Sequence, residues 1–69
     1  MKITNGKHYD CHKSSLYIKI YKIHYRSDDY IKVTFGLFSK IDNYHVETIK
    51  TKLYLDRISH WQEYDVKNL

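Results

Sequence analysis

The chain has 69 residues, with 12 Lys and Arg against 8 Asp and Glu, for a formal charge of +4. A single cysteine rules out an intrachain disulfide, and a chain this short buries only about 60% of its unfolded surface, so one small domain over residues 1–69 is expected. No apolar run approaches the roughly 20 residues of a membrane helix, and the moderate positive balance argues against a DNA mimic built on carboxylate density and favours an anionic partner.

The chain opens with Met, and residues 1–7 lack the apolar core of a secretory signal. With the lone Cys11, this predicts a complete product of a reducing, cytoplasmic compartment. Tyr occurs 8 times and Pro not at all. Tyrosine buries a ring and keeps a wet hydroxyl, so it suits strands and binding faces. The wealth of Ile, Lys, Tyr and Asn is also what an AT-rich genome over-uses.

Asn5-Gly6 signals a two-residue turn of type I′, which predicts a short N-terminal hairpin with Ile3 and Tyr9 on its arms. Residues 13–15 read as a loop. The first long strand starts at Leu16, with Leu16, Ile18 and Ile20 on one face. Beyond Tyr21 the apolar phase changes to Ile23 and Tyr25. One bulge near Tyr21-Lys22 keeps Lys22 and His24 out of the core and sets Ile23 opposite Ile31, Ile20 opposite Val33 and Ile18 opposite Phe35. Ser27, Asp28 and Asp29 form the polar turn.

The second long strand, 30–38, alternates cleanly. Ile31, Val33, Phe35 and Leu37 point one way; Tyr30, Lys32, Thr34, Gly36 and Phe38 point the other. Residues 39–43 make the next turn, with Asp42-Asn43 at its tip. The third strand, 44–55, has Ile49, Thr51, Leu53 and Leu55 inside and Thr48, Lys50, Lys52 and Tyr54 outside. Val46 is out of phase and predicts a second irregularity. Ile58, Trp61 and Tyr64 then follow at helical spacing, and Ser59 with Gln62 fits a capping box, so a short C-terminal helix is expected, with Trp61 plugging the core. The tail from Asp65 reads as frayed.

The fold class is therefore mainly β: a small antiparallel sheet of three long bent strands, the N-terminal hairpin and the C-terminal helix, in an SH3-like or OB-like partly closed barrel. A flat meander covered by a second copy is the other architecture, and the thin core makes a homodimer an expected partner.

The outer face is the candidate binding face. It presents Tyr17, Lys19, Tyr21, Lys32, Thr34, Lys50, Lys52 and Tyr54, with Gly36 leaving a shallow gap. Rings interleaved with lysines suit single-stranded nucleic acid, whose bases stack while ammoniums track phosphates. Tyrosine is equally at home against protein, and a merely solvated sheet face has the same composition.

His8, Cys11 and His12 invite a zinc reading, but a structural zinc wants four ligands in two pairs, and His24, His45 and His60 sit on separate elements. A nuclease could be assembled from His24, His45 and Glu47 only if they converged. No Gly-rich phosphate loop, nucleophile elbow or paired-carboxylate motif is present. The expectation is a non-enzymatic protein with no metal and no cofactor. The leading reading is a small accessory protein of a phage or mobile element, an inhibitor or regulator occupying a site on a larger host protein, anti-defence proteins included. A nucleic-acid-binding module using the Tyr/Lys face is the alternative.

Overall fold

The computed structural model describes residues 2–11 and 14–67. Five strands follow one another: β1 (His8–Asp10), β2 (Leu16–Arg26), β3 (Tyr30–Ser39), β4 (His45–Tyr54) and β5 (Gln62–Glu63). They form one sheet in the order β4-β3-β2-β1-β5, and every neighbouring pair is antiparallel. β4 and β5 are its two edges, so the expected barrel does not close. The described chain measures 37 × 20 × 15 Å along its principal axes. No helix of the described residues is long and apolar enough to cross a membrane.

One face of the sheet carries the core. Ile18 and Ile20 on β2 join Ile31, Val33 and Phe35 on β3, as period-two alternation requires. Ile3, Ile58 and Trp61 pack on them from the two chain ends. Burial of these side chains stabilises the fold by about 1.5–3 kcal/mol each relative to exposure. This lid of loops removes the need for barrel closure. Tyr9 on β1 is fully buried, and its hydroxyl accepts a hydrogen bond from Thr4 N at 2.9 Å.

The register of the long hairpin differs from the expected one. Ile18 lies opposite Leu37, Ile20 opposite Phe35 and Ile23 opposite Val33, each displaced by two residues on β3. The expected irregularity after Ile20 is present, and a second one follows between Ile23 and Tyr25. Each inserts an unpaired residue, Tyr21 and then His24. Tyr25 is thereby turned out of the apolar set and pairs with Lys32. The irregularity expected at Val46 is also there: Leu37 pairs with Glu47, and Phe38 with His45.

Both expected end elements change. Asn5-Gly6 does turn, but Gly6 alone has positive φ, at 80°, and Lys7 N reaches back to Thr4 O. That is a type II turn rather than type I′. No N-terminal hairpin forms, because β1 pairs with β2 and β5 and residues 2–5 stay outside the sheet.

The C-terminal helix is absent. Arg57 N and Ile58 N both bond Tyr54 O, Trp61 N bonds Ile58 O, and the chain then extends into β5. Ser59 Oγ donates to Asp56 O rather than capping a helix. So few residues cannot meet the cost of helix nucleation, and β1 offers an unpaired edge instead. Trp61 still plugs the core, as expected, and Ile58 buries with it, both through turns.

Candidate binding face

The opposite face of the sheet presents cross-strand rows. Tyr30 lies opposite Tyr54 on β4. Tyr25, Lys32 and Lys52 form the next row across β2, β3 and β4. Lys22, Thr34 and Lys50 form a third, and Lys19, Gly36 and Thr48 a fourth. Adjacent rows are about 6.8 Å apart by strand rise. The two register shifts enrich this face. Tyr21 joins Lys22 on it, and His24 joins Tyr25, with His24 Nε2 2.7 Å from Thr34 Oγ1.

Lys19, Lys32, Thr34, Lys50, Lys52, Tyr21 and Tyr54, all expected on one surface, do share it. Tyr17 shares the face but not the exposure. It is only 3% exposed, stacked between Tyr64 at 4.7 Å and Phe38 at 5.3 Å. Its hydroxyl donates to Asn43 Oδ1 at 3.1 Å, and Asn43 Nδ2 donates to Lys67 O. The tail up to Lys67 is thus tied over this end of the face, rather than frayed. Burial first, then Tyr64 and Tyr21, raises the Tyr17 phenol above its ordinary range. Gly36 leaves no gap: a Cβ there would stand 2.6 Å from Tyr21 Oη, so the Tyr21 ring already fills the space.

The other end is open. Tyr25 and Tyr54 are 49% and 46% exposed, and both rings tilt against Tyr30. Lys52 Nζ lies 4.3 Å from the Tyr30 ring centroid, and Lys32 Nζ lies 5.9 Å from that of Tyr25. Exposed cation–π contacts of this kind are worth about 0.5–1 kcal/mol, so a ligand can displace them.

The three long strands carry one carboxylate, Glu47. It pairs with Leu37 and so sits on the core side. Lys32 and Lys52 face each other with no acid between them, an arrangement that costs stability in an isolated sheet. Sequence reasoning kept Lys22 and His24 out of the core without counting them in this face, and it missed Tyr25 because it allowed for only one of the two register shifts. The phase break at Ile23 was the available signal.

The other constellations do not assemble. His8 meets Tyr17 edge-on at 5.8 Å on the outer face, whereas Cys11 packs against the core on the other. His12 lies outside the described residues. Burial, then Asp10, raises the Cys11 thiol. Among the described residues no group of three or more His, Cys, Asp or Glu could hold a metal. His24 is beside Thr34, and His45 is opposite Phe38, four residues or about 13 Å further along β3. Glu47 is on the opposite face, so the three do not converge.

No family model matches the chain, and no curated protein or solved structure matches it either.

Proposed function

We propose that this is a non-enzymatic binding protein that holds single-stranded nucleic acid on the open Tyr/Lys end of its outer face. One observation carries the reading. Lys22, Lys32, Lys50 and Lys52 lie in adjacent rows beside Tyr25 and Tyr54, and the only carboxylate of the long strands is on the other face. A polyanion relieves the repulsion between these lysines, and the open rings offer bases a stacking surface worth about 1–3 kcal/mol per base.

The test is fluorescence anisotropy with a labelled oligothymidylate. Affinity should fall with salt at a log–log slope near about −3, as four phosphate contacts on a single strand require. Lys32→Glu with Lys50→Glu should abolish binding. Binding that ignores salt, or survives this double change, overturns the reading.

A second reading is an accessory protein of phage or mobile-element type that inhibits or regulates a larger host protein. The observation favouring it is the β3–β4 turn, where Ile41 and Tyr44 are 79% and 67% exposed. Exposed apolar groups on a tight turn are suitable anchors for a protein pocket. A nuclease-resistant, salt-insensitive host complex that is lost in Ile41→Asp would decide for this reading.

A further inference from the structure

β1 pairs with β2 only from Tyr17 to Lys19, so the second half of β2 has no strand neighbour on that side. Residues 2–5 run beside it instead. Gly6 N donates to Ile20 O, Ile23 N donates to Asn5 Oδ1, and Arg26 Nη2 donates to Ile3 O. These three ties hold the segment near β2 without closing the gap. What is left is a depression of about 520 Å³, lined among others by Lys2, Asn5, His24, Tyr25 and Arg26.

The chemistry of this lining is one-sided. Lys2 and Arg26 bring two cations, and no carboxylate lines the depression. The Asn5 side chain gives its oxygen to Ile23 N, which leaves its amide N–H groups as donors. Arg26 uses one nitrogen on Ile3 O and keeps the rest of its donor fork, which suits a tetrahedral oxyanion. Tyr25 belongs to both places: it lines the depression and stands in the row with Lys32 on the open face.

We infer that this depression is a phosphate subsite, holding one phosphate of a bound strand while the neighbouring base stacks on Tyr25. The inference rests on the nucleic-acid reading above and adds a second contact region to it. The phosphate is either an internal diester or a terminal monoester, since both present the same oxyanion. Arg26 and Lys2 supply the charge, Asn5 a neutral donor, and Tyr25 the stacking surface. The lysine rows then carry the rest of the strand across the sheet.

The experiment compares linear oligothymidylates bearing a 5′-phosphate, a 3′-phosphate or hydroxyl ends with a circular strand of the same length. Arg26→Gln should weaken binding about tenfold, as the loss of a charge-assisted bond implies, and should flatten the salt slope by about 0.7. If the phosphate is internal, all four strands lose affinity alike. If it is terminal, one phosphorylated strand binds tightest in the wild type, and only that advantage disappears. Lys2→Gln, at an exposed residue, repeats the test without touching the Arg26 bond to Ile3 O. The inference is overturned if both variants bind every strand within twofold of wild type while Lys32→Glu with Lys50→Glu still abolishes binding. If the wild type binds no strand, the parent reading falls and the subsite with it.

Discussion

The outer face has two aromatic clusters with the same residue types and opposite fates. At one end Tyr17, Tyr64 and Phe38 stack in parallel, closed over by the tail through Asn43 and Lys67. At the other end Tyr25 and Tyr54 are half exposed and tilt against a half-buried Tyr30, with lysine ammoniums over the rings and Asp28, Asp29 and Asp56 beside Tyr54. The closed cluster works as a second small core, on the side of the sheet that alternation assigns to water. The open cluster buries little and leaves ring faces available. Tyrosine on an outer strand position therefore predicts neither stability nor binding by itself; what lies above the ring decides.

The sharpest way to break this comparison is to remove one ring from each end. Tyr17→Ala deletes a buried ring that stacks on both sides, and should cost about 3 kcal/mol or more. In a domain this small that is a large part of the total stability. Urea unfolding should show a large drop in midpoint, or no folded baseline. Tyr54→Ala removes a ring that is half exposed and should leave the midpoint almost unchanged. Equal losses at the two ends would erase the distinction.

Binding should show the reverse order. Tyr54→Ala and Tyr25→Ala should each weaken strand binding by about 1–3 kcal/mol, the loss of one stacked base. Anisotropy at a single salt concentration suffices, because the lysines and the salt slope stay as they were. A Phe replacement at either position should retain most of the affinity, since stacking needs the ring and not the hydroxyl. If Tyr→Phe costs as much as Tyr→Ala, the rings act as hydrogen-bond donors and the stacking account is wrong.

The sequence revealed the open end better than the closed one. Alternation along β3 and β4 placed Lys32, Thr34, Lys50, Lys52 and Tyr54 together because strand geometry alone decides which way they point. Tyr17 obeys the same alternation, yet its burial depends on residues 26 and 47 positions away, Asn43 and Tyr64. No local pattern encodes that contact. The register of the long hairpin was misjudged by two residues because setting Ile23 opposite Ile31 leaves residues 24–30 unpaired, whereas the chain pairs Arg26 with Ile31, turns over residues 27–30 and takes up a second bulge that the phase break does not reveal. Trp61 was placed correctly in the core for a wrong local reason: its spacing of three from Ile58 suits consecutive turns as well as a helix. The barrel failed because closure depends on which edges meet, and short edges such as β5 leave almost no trace in the sequence.

Asn43 offers a finer probe of the closed end. It sits at φ 58° and joins Tyr17 to Lys67 through its two amide atoms. Asn43→Gly keeps the left-handed backbone accessible and deletes both bonds, for a loss of about 1–2 kcal/mol. Asn43→Ala adds the steric cost of a Cβ at positive φ, about 1 kcal/mol more. Thermal or urea unfolding of the two variants separates tail tethering from backbone preference. Both should bind strands as the wild type does, because the open end does not touch Asn43. A binding defect in Asn43→Gly would mean that the tail positions the open face as well.

The smallest expected effect is a pH dependence confined to the closed end. Burial, and then the Lys19 ammonium, hold the His8 imidazole below its ordinary range, and its ring packs edge-on against Tyr17. The folded chain therefore takes up this proton less readily than the unfolded chain does. Above the ordinary histidine pKa both forms are neutral and His8 contributes no slope. As pH falls through that value the unfolded chain protonates first, so stability declines until the folded imidazole protonates too. The melting temperature should drop between about pH 7.5 and 5.5, above the range in which most carboxylates titrate. His8→Gln should lose part of that drop while keeping a polar ring-edge neighbour for Tyr17. A variant that follows the wild-type pH curve would show that the closed cluster tolerates a half-buried imidazolium, and that its stability comes from the Tyr17 stack alone.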